Sequence, residues 1–368
     1  METCGLGVLK MSFGIEERNA ALRVIDSGVL SGYQGNYSDQ FFGGPEVRTL
    51  EQEWQDYFNV KHAIFVNSAT SGLWAACAVL GLNPDDEIIV SPYSMSCSAS
   101  MPLQFGCKPI FVDIEPSYYC IDPNKLESAI TDRTRAIIAV DLFGLPCDFD
   151  EINKIAKKHN LIVIEDAAQA IGAIYKGRYA GTLSDIGVFS LNRHKIINCG
   201  EGGVITTNND ELAFKLRLVC NHSESVVNDM QRRGIDDYKK YANIWPGMNL
   251  RGTELSAAIA REQLKKLDGI LGVVREHAKY FPVKVRLECE SAFYRYAWKD
   301  QDGNDLSRYL REHSLVLPGN RFNFKNHYIK PLYQMPLFQS LGYPDNLCPV
   351  CEDIEENIVL AWLKGSDM

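Results

Sequence analysis

The sequence predicts an α/β fold: a large domain whose mostly parallel sheet is sandwiched by helices, followed by a smaller α+β C-terminal domain. Three observations predict it. Short apolar runs alternate with helix-like segments between His62 and Ile205, as a parallel sheet covered on both faces requires. Polar residues gather where those runs end, at Asn67–Thr70, Tyr93–Ser94, Asp166 and Lys195, and sites on such sheets form beyond the C-terminal ends of strands. After Gly247-Met-Asn-Leu-Arg251 the alternation stops. The expected division is an N-terminal arm (1–40), a large domain (41–250) and a small C-terminal domain (251–368).

Residues 1–40 are polar and glycine-punctuated, and Ser31-Gly-Tyr-Gln-Gly-Asn36 reads as loop. Pro45–Phe58 carries Val47, Leu50, Trp54 and Phe58 at helical spacing. Then follow a strand at His62–Val66, a helix at Thr70–Leu80, a strand at Glu87–Val90, a helix at Ser94–Phe105 and a strand at Pro109–Val112. A helix around Asn124–Ile130 leads to a strand at Ala136–Val140, a helix at Asp148–His159 and a strand at Leu161–Ile164. Ile186–Leu191 and Val204–Ile205 are further strand-like runs. Thr253 suits an N-cap, and Leu255, Ile259, Leu267, Leu271 and Val274 mark one long helix. Phe293–Trp298 reads as strand, Asp305–His313 as helix, and His327–Pro336 is punctuated by proline.

A chain of 368 residues has room for two domains and a large core. With 38 basic against 47 acidic residues the net charge is −9, which excludes a general nucleic-acid binder and a polybasic membrane protein. No apolar run approaches the ~20 residues of a membrane span, and Met1-Glu-Thr-Cys-Gly-Leu-Gly7 lacks the pattern of a secretory leader. The eleven cysteines are odd in number, and Cys77, Cys97, Cys107 and Cys220 lie in apolar segments. They suit reduced core thiols of a cytoplasmic protein. Cys348-Pro-Val-Cys351 has no second pair to complete a metal set and reads as a turn, so no metal is expected.

Lys195 stands in Phe189-Ser-Leu-Asn-Arg-His-Lys-Ile-Ile-Asn-Cys-Gly-Glu-Gly-Gly203, between a strand-like run and a glycine-rich turn. A lysine that ends a buried strand is costly unless paired, neutralised or covalently occupied, and the neutral amine is a nucleophile. A solvated loop lysine is the alternative. Asp166, in Glu165-Asp-Ala-Ala-Gln169, ends another strand. It suits a metal ligand, a base, a helix cap, or the partner of a protonated pyridine nitrogen. Asn67-Ser-Ala-Thr-Ser-Gly72 places small residues at a helix start, where backbone N–H groups and the helix dipole favour a phosphate, or merely a capped terminus. No P-loop and no Gly-x-Gly-x-x-Gly is present.

Phosphate-type helix start, Asp and Lys, in that order on a parallel sheet, are what a pyridoxal 5'-phosphate (PLP) enzyme requires. The sequence resembles the DegT/StrS-type sugar aminotransferases of the aspartate-aminotransferase fold (PLP fold type I). The resemblance runs from about Gly43 to Pro336. It rests on Gly44-Pro-Glu-Val-Arg48, Asn67-Ser-Ala-Thr-Ser71, Glu165-Asp-Ala-Ala-Gln169, Asp185-Ile-Gly-Val-Phe-Ser190 with Lys195 and Gly200-Glu-Gly-Gly203, and Gly247-Met-Asn-Leu-Arg251. It implies that Lys195 carries the cofactor and moves the substrate proton, and that Asp166 pairs with the pyridinium nitrogen. Gln169 would contact the ring's phenolic oxygen. Ser68, Ala69, Thr70 and Ser190 would hold the phosphate, and Met95 stands where many relatives place an aromatic over the ring. Asn249 would reach the phosphate of a partner subunit, making a homodimer with shared sites. Arg193, His194, Tyr93 and His327 are candidate substrate contacts, the first two equally suited to be surface-loop charges.

The implied reaction moves an amino group from an amino acid, glutamate in this reading, to a keto-sugar, nucleotide-linked, in amino-sugar and surface-glycan (lipopolysaccharide) biosynthesis. Some relatives are deoxysugar dehydratases in which histidine replaces the lysine. Counted from Phe189-Ser190, the family's lysine position falls on Lys195 and not on His194, which favours the transaminase. An aminocyclitol aminotransferase and a non-catalytic PLP-binding regulator are the remaining alternatives.

Overall fold

The computed structural model describes residues 13–299 and 322–363. The first half of the chain runs α1 (Ile15–Ser27), α2 (Pro45–Phe58), β1 (His62–Val66), α3 (Ala69–Ala78), β2 (Glu87–Val90), α4 (Cys97–Leu103), β3 (Lys108–Phe111), β4 (Thr134–Val140), α5 (Phe149–His159) and β5 (Ile162–Asp166). Then come β6 (Ile174–Tyr175), β7 (Arg178–Tyr179), β8 (Ile186–Ser190), β9 (Gly203–Thr207), α6 (Asp210–Cys220), α7 (Ser223–Arg232), α8 (Tyr238–Tyr241), α9 (Glu254–Leu264) and α10 (Leu267–His277). The remainder holds β10 (Cys289–Glu290), β11 (Tyr296–Lys299), β12 (Phe322–Asn326), α11 (Pro336–Gln339), α12 (Pro349–Asn357) and β13 (Ile358–Leu363).

The central sheet has the order β1-β9-β8-β5-β4-β2-β3. Only β9 opposes its neighbours, pairing antiparallel with β1 and β8; the other pairs are parallel. Every strand but β9 therefore ends on one edge of the sheet. Alternation along the strands divides the core between the two faces. Ile64, Val66, Ile186, Val188 and Ile205 join one buried cluster, while Ala63, Phe65, Phe189 and Val204 join the other. A second sheet, β11-β13-β12, is antiparallel. Tyr296, Trp298 and Phe322 of this sheet extend the second cluster, and Ile358 and Leu360 the first.

Four expectations differ from what is seen. The arm contains α1, whose Ala20 and Val24 pack on Ala258 of α9. Its buried stripe includes Glu17, which accepts hydrogen bonds from Gln263 at 2.7 Å and Lys266 at 2.5 Å, so an apolar periodicity could not show it. The helix expected at Asn124–Ile130 is two 3-10 turns, Pro123–Lys125 and Glu127–Ala129. The long helix after Thr253 breaks between Leu264 and Leu267. The helix expected at Ser94–Phe105 is shorter, with Pro102 just before its end, where the missing N–H limits its extension. The helix expected at Asp305–His313 lies outside the described residues.

Among the described residues, no helix is long and apolar enough to cross a membrane and no His/Cys/Asp/Glu cluster suits a metal. Ten cysteines among the described residues are free thiols. Cys348 sits at the N-cap of α12 with Cys351 beside it, both buried, and burial pushes both thiols above their ordinary range.

Candidate active site

Where β1, β5 and β8 end, the sheet opens into a cavity of about 370 Å³. Asp166, the last residue of β5, lies between Val140 of β4 and Val188 of β8. Its carboxylate is nearly sealed, at 4% exposure. Oδ1 accepts from the Ala168 N–H at 3.2 Å, and Oδ2 from the Ser98 hydroxyl at 2.9 Å. Ser98 is held in turn by Ser94, with 2.9 Å between their hydroxyl oxygens. Burial pushes Asp166 above the usual carboxylate range, while Ser98, Ala168 and the charge of Lys195 pull it back. Its neighbour Glu165 is turned inward and accepts from the N–H groups of Gly181 and Leu183 at 2.5 and 2.9 Å. Burial raises Glu165 to about 7.

The turn from β1 into α3 forms a second wall. The Ser68 hydroxyl accepts from the Ser71 N–H at 3.1 Å, and the Ser68 carbonyl from the Gly72 N–H. This leaves the first-turn N–H groups of Ala69 and Thr70, both lining the cavity, at the positive end of the helix. Close approach of β9 requires Gly203: a Cβ there would stand 2.6 Å from the Ala69 nitrogen and 2.7 Å from the Ser68 carbonyl carbon. The register sets Gly203 between Val66 and Ser190, so one missing side chain brings three strand ends together.

Lys195 follows β8 in a loop whose backbone bonds back on itself, with the Lys195 N–H donating to the Asn192 carbonyl at 2.8 Å. Its Nζ lies 4.6 Å from the ring centroid of Tyr294. Gln169 is a tether: its Oε1 accepts from the Phe143 N–H at 2.9 Å, and its Nε2 donates to the Tyr328 hydroxyl at 3.1 Å. Gly144, at φ +95°, lets the 291–294 segment approach, since a Cβ there would lie 2.8 Å from the nitrogens of Phe293 and Tyr294.

The structure thus brings Ser68, Ala69, Thr70, Met95, Asp166, Gln169, Ser190, His194 and Lys195 to one cavity. It does not bring the other candidates there. Arg193 is exposed and off the lining. Tyr93 is fully buried behind the wall, edge-on to Tyr328 at 5.6 Å. His327 has a φ of +64° and turns away, its Nδ1 2.9 Å from the Glu355 carbonyl; its neighbour Tyr328 lines the cavity instead. Asn249 is exposed, its Oδ1 accepting from Arg251 Nε at 2.8 Å. Sequence reasoning missed Ser98, Tyr294 and Tyr328. Ser98 stands four residues after Ser94 on a helical path, a usable signal; the two tyrosines carry none.

These residues fit PLP. A sealed carboxylate suits a protonated pyridine nitrogen, a lysine amine opens into the same cavity, and a helix start with two N–H groups awaits a phosphate. Together with the seven-stranded sheet they define an enzyme of PLP fold type I. The chain belongs to the DegT/DnrJ/EryC1/StrS aminotransferase family, whose model matches residues 34–363, and its cofactor is pyridoxal 5'-phosphate. GDP-perosamine synthase of Caulobacter vibrioides is 42% identical over 225 residues, which cover 61% of this chain and 58% of that protein. The matched stretch thus spans under two thirds of that relative. The crystal structure of a DegT DnrJ EryC1 StrS aminotransferase from Brucella abortus superposes with a TM-score of 0.81 at 25% identity, covering 99% of this chain and 94% of that one. A GDP-4-keto-6-deoxymannose-3-dehydratase with a trapped PLP-glutamate geminal diamine matches at a TM-score of 0.75 and 27% identity, covering 96% of this chain and 94% of that one.

Proposed function

We propose that this chain is an aminotransferase that takes nitrogen from an amino acid, glutamate, and gives it to the ketone of a nucleotide-linked sugar, in the making of amino sugars for surface glycans. The observation that carries it is Lys195 in the cavity that Asp166 closes. When bound, PLP supplies an electron sink for the carbon that loses its proton. The chain supplies the rest. Lys195 holds the cofactor and moves that proton, Asp166 keeps the pyridine nitrogen protonated, and the Ala69 and Thr70 N–H groups with Ser68 and Ser190 grip the phosphate. Met95, 57% exposed at the cavity, would supply an apolar contact to the bound ring. Gln169 fixes Tyr328 and thereby the wall that a sugar meets. The GDP-sugar enzymes among the relatives support a nucleotide-linked acceptor. The purified protein, incubated with L-glutamate and a panel of nucleotide-linked keto-sugars, is expected to yield 2-oxoglutarate and an amino sugar in equal amounts, read by mass spectrometry. Deoxygenation of the sugar without retained nitrogen would transfer the assignment to a dehydratase.

We further propose a homodimer with shared sites, in which Asn249 reaches the phosphate of the partner subunit. Met248 and Trp245 beside it are 47% and 37% exposed, an apolar face that suits a second copy. Mixing Lys195→Ala and Asn249→Asp chains, each nearly inactive alone, gives one intact site per mixed dimer. About a quarter of all sites should then work after random exchange. A dead mixture despite proven subunit exchange would refute the shared site. The buried free thiols support a reducing, cytoplasmic setting.

A further inference from the structure

Asp141 and Glu165 are fully buried acids, and the proposed transfer uses neither. Glu165 pairs with Ala139 across the β4–β5 register, so Asp141, two residues further on, lies on the same face of the sheet. There the two carboxyl groups meet at hydrogen-bond range. Glu165 already accepts from the Gly181 and Leu183 N–H groups, and Asp141 Oδ1 accepts from the Cys147 N–H at 2.9 Å. Asp141 Oδ2 is sealed from water and meets no donor. No cation among the described residues forms an ion pair with either acid. Arg286, which reaches toward Cys147, is held by Glu115 at 2.7 Å and Asp148 at 3.5 Å. Two carboxylates in contact in a dry interior cannot both be ionised. One proton between them turns the orphaned oxygen into a donor and leaves every oxygen of the pair bonded. Burial and the facing Glu165 keep that proton on Asp141. Burial also raises Glu165, but its two backbone donors pull it back, so the charge falls there. The other titratable groups that face Asp141 are thiols: Cys147 on its own turn, Cys120 from the segment before β4, and Cys289 of β10.

The pair stands directly behind the active site. Glu165 precedes Asp166 in the chain, and the Asp141 N–H donates to the Asp166 carbonyl at 3.1 Å. Asp141 also opens the turn that carries the tyrosine wall. That turn holds two left-handed residues in succession, Phe143 at φ +57° and Gly144 at φ +95°. For phenylalanine this conformation is strained and persists only where its neighbours hold it. The Phe143 N–H bonds the Gln169 amide. The Gly144 carbonyl accepts from the Ala292 N–H at 2.8 Å and the Ser291 hydroxyl at 2.9 Å, which seats the segment whose Tyr294 ring meets Lys195 Nζ. We propose that Asp141 is a positioning residue: it carries the proton of an acid pair with Glu165, and this bond fastens the 141–145 turn to β5 so that Gln169 and Tyr294 stand where the transfer needs them. A charge on both acids drives them apart and lets the strained turn relax, which moves Gln169 and Tyr294 together. Only the kinetic part of the test rests on the aminotransferase reading.

The test compares Asp141→Asn and Asp141→Ala with the wild type in the cofactor-loaded protein. Asparagine is neutral, keeps an oxygen for the Cys147 N–H and turns its amide N–H toward Glu165, so it replaces the protonated acid but not a charged one. The wild-type-minus-Asn infrared spectrum at about pH 7 should carry the carbonyl band of a protonated carboxylic acid. A native state that holds a proton the unfolded chain releases loses stability as pH rises above the ordinary carboxylate range. The melting temperature of Asp141→Asn should therefore gain on the wild type between about pH 5 and about pH 8. Conversion of the bound cofactor by L-glutamate, followed by stopped-flow absorbance, should stay within about threefold of wild type in Asn and fall roughly 10- to 100-fold in Ala. The Ala variant should also move the absorption band of the bound cofactor. No protonated-acid band, or a melting difference that ignores pH, would overturn the shared proton. An Asn variant as slow as Ala, or an Ala variant as fast as wild type, would overturn the positioning role. Should Ala fail to fold, the Asn spectra and melting curves still decide the proton, and its rate still decides whether a neutral donor suffices. Expected spectra and melting curves in a protein that never converts glutamate would instead count against the aminotransferase reading.

Discussion

Lys195→Ala is expected to lose at least about 10⁴-fold in transamination, because covalent anchoring and proton transfer both use its amine. The fold should survive. Lys195 is a loop residue that meets the ring of Tyr294 and donates its backbone N–H to Asn192, and alanine keeps the backbone bond. Asp166, Ser190 and the start of α3 stay in place, so the variant should still take up the cofactor, noncovalently. Borohydride should attach the cofactor to the Lys195 peptide in the wild type and to no peptide in the variant, with peptide mass spectrometry as the readout. Added methylamine should restore part of the rate by entering the space the side chain leaves. Wild-type turnover in Lys195→Ala would end the assignment.

Asp166→Asn should cost about as much as losing three pKa units on the ring nitrogen, which is about 4 kcal/mol or roughly 10³-fold in kcat. The change is close to isosteric. The Ala168 N–H keeps an oxygen to bond, and the Ser98 hydroxyl can rotate to accept from the new amide. What disappears is the charge. Cofactor affinity should fall with kcat, measured by fluorescence titration of the cofactor-free protein, while the melting temperature of the cofactor-free form should hold or rise, since a buried charge is removed. An unchanged kcat would reduce Asp166 to a structural residue.

The succession of strands and helices along the chain, and the polar residues at the strand ends Asn67–Thr70, Asp166 and Lys195, were legible because each is written locally; that these meet with Ser190 in one site was implied by the family resemblance. An apolar run ends, and the next residue is polar, small or charged. The tyrosine wall was not. Tyr294 and Tyr328 arrive from segments more than ninety residues beyond Lys195, held by backbone approach at Gly144 and by the Gln169 amide, and no sequence period connects such positions. His327 was misplaced by one residue for the same reason: a positive φ reverses which neighbour faces the cavity. The stripe of α1 was hidden because a glutamate, Glu17, fills one of its buried positions, stabilised by Lys266 and Gln263 from across the chain. The two-residue strands β6, β7 and β10 are too short for any alternation to register.

The antiparallel insertion of β9 also sets a timetable. β1 sits at the end of the sheet with β9 as its neighbouring strand, and Val66 alone also bridges Arg251, so His62–Val66 waits for Gly203–Thr207 to leave the ribosome. At about 5–20 residues per second that wait lasts roughly 7–28 s. During it, Ala63 to Val66 present an unpaired apolar edge that a neighbouring nascent chain can template on. Gly203 ends the exposure and, in the same register, closes the backbone around the start of α3. The phosphate grip and the safety of the edge strand therefore appear together, and a chain halted short of β9 has neither.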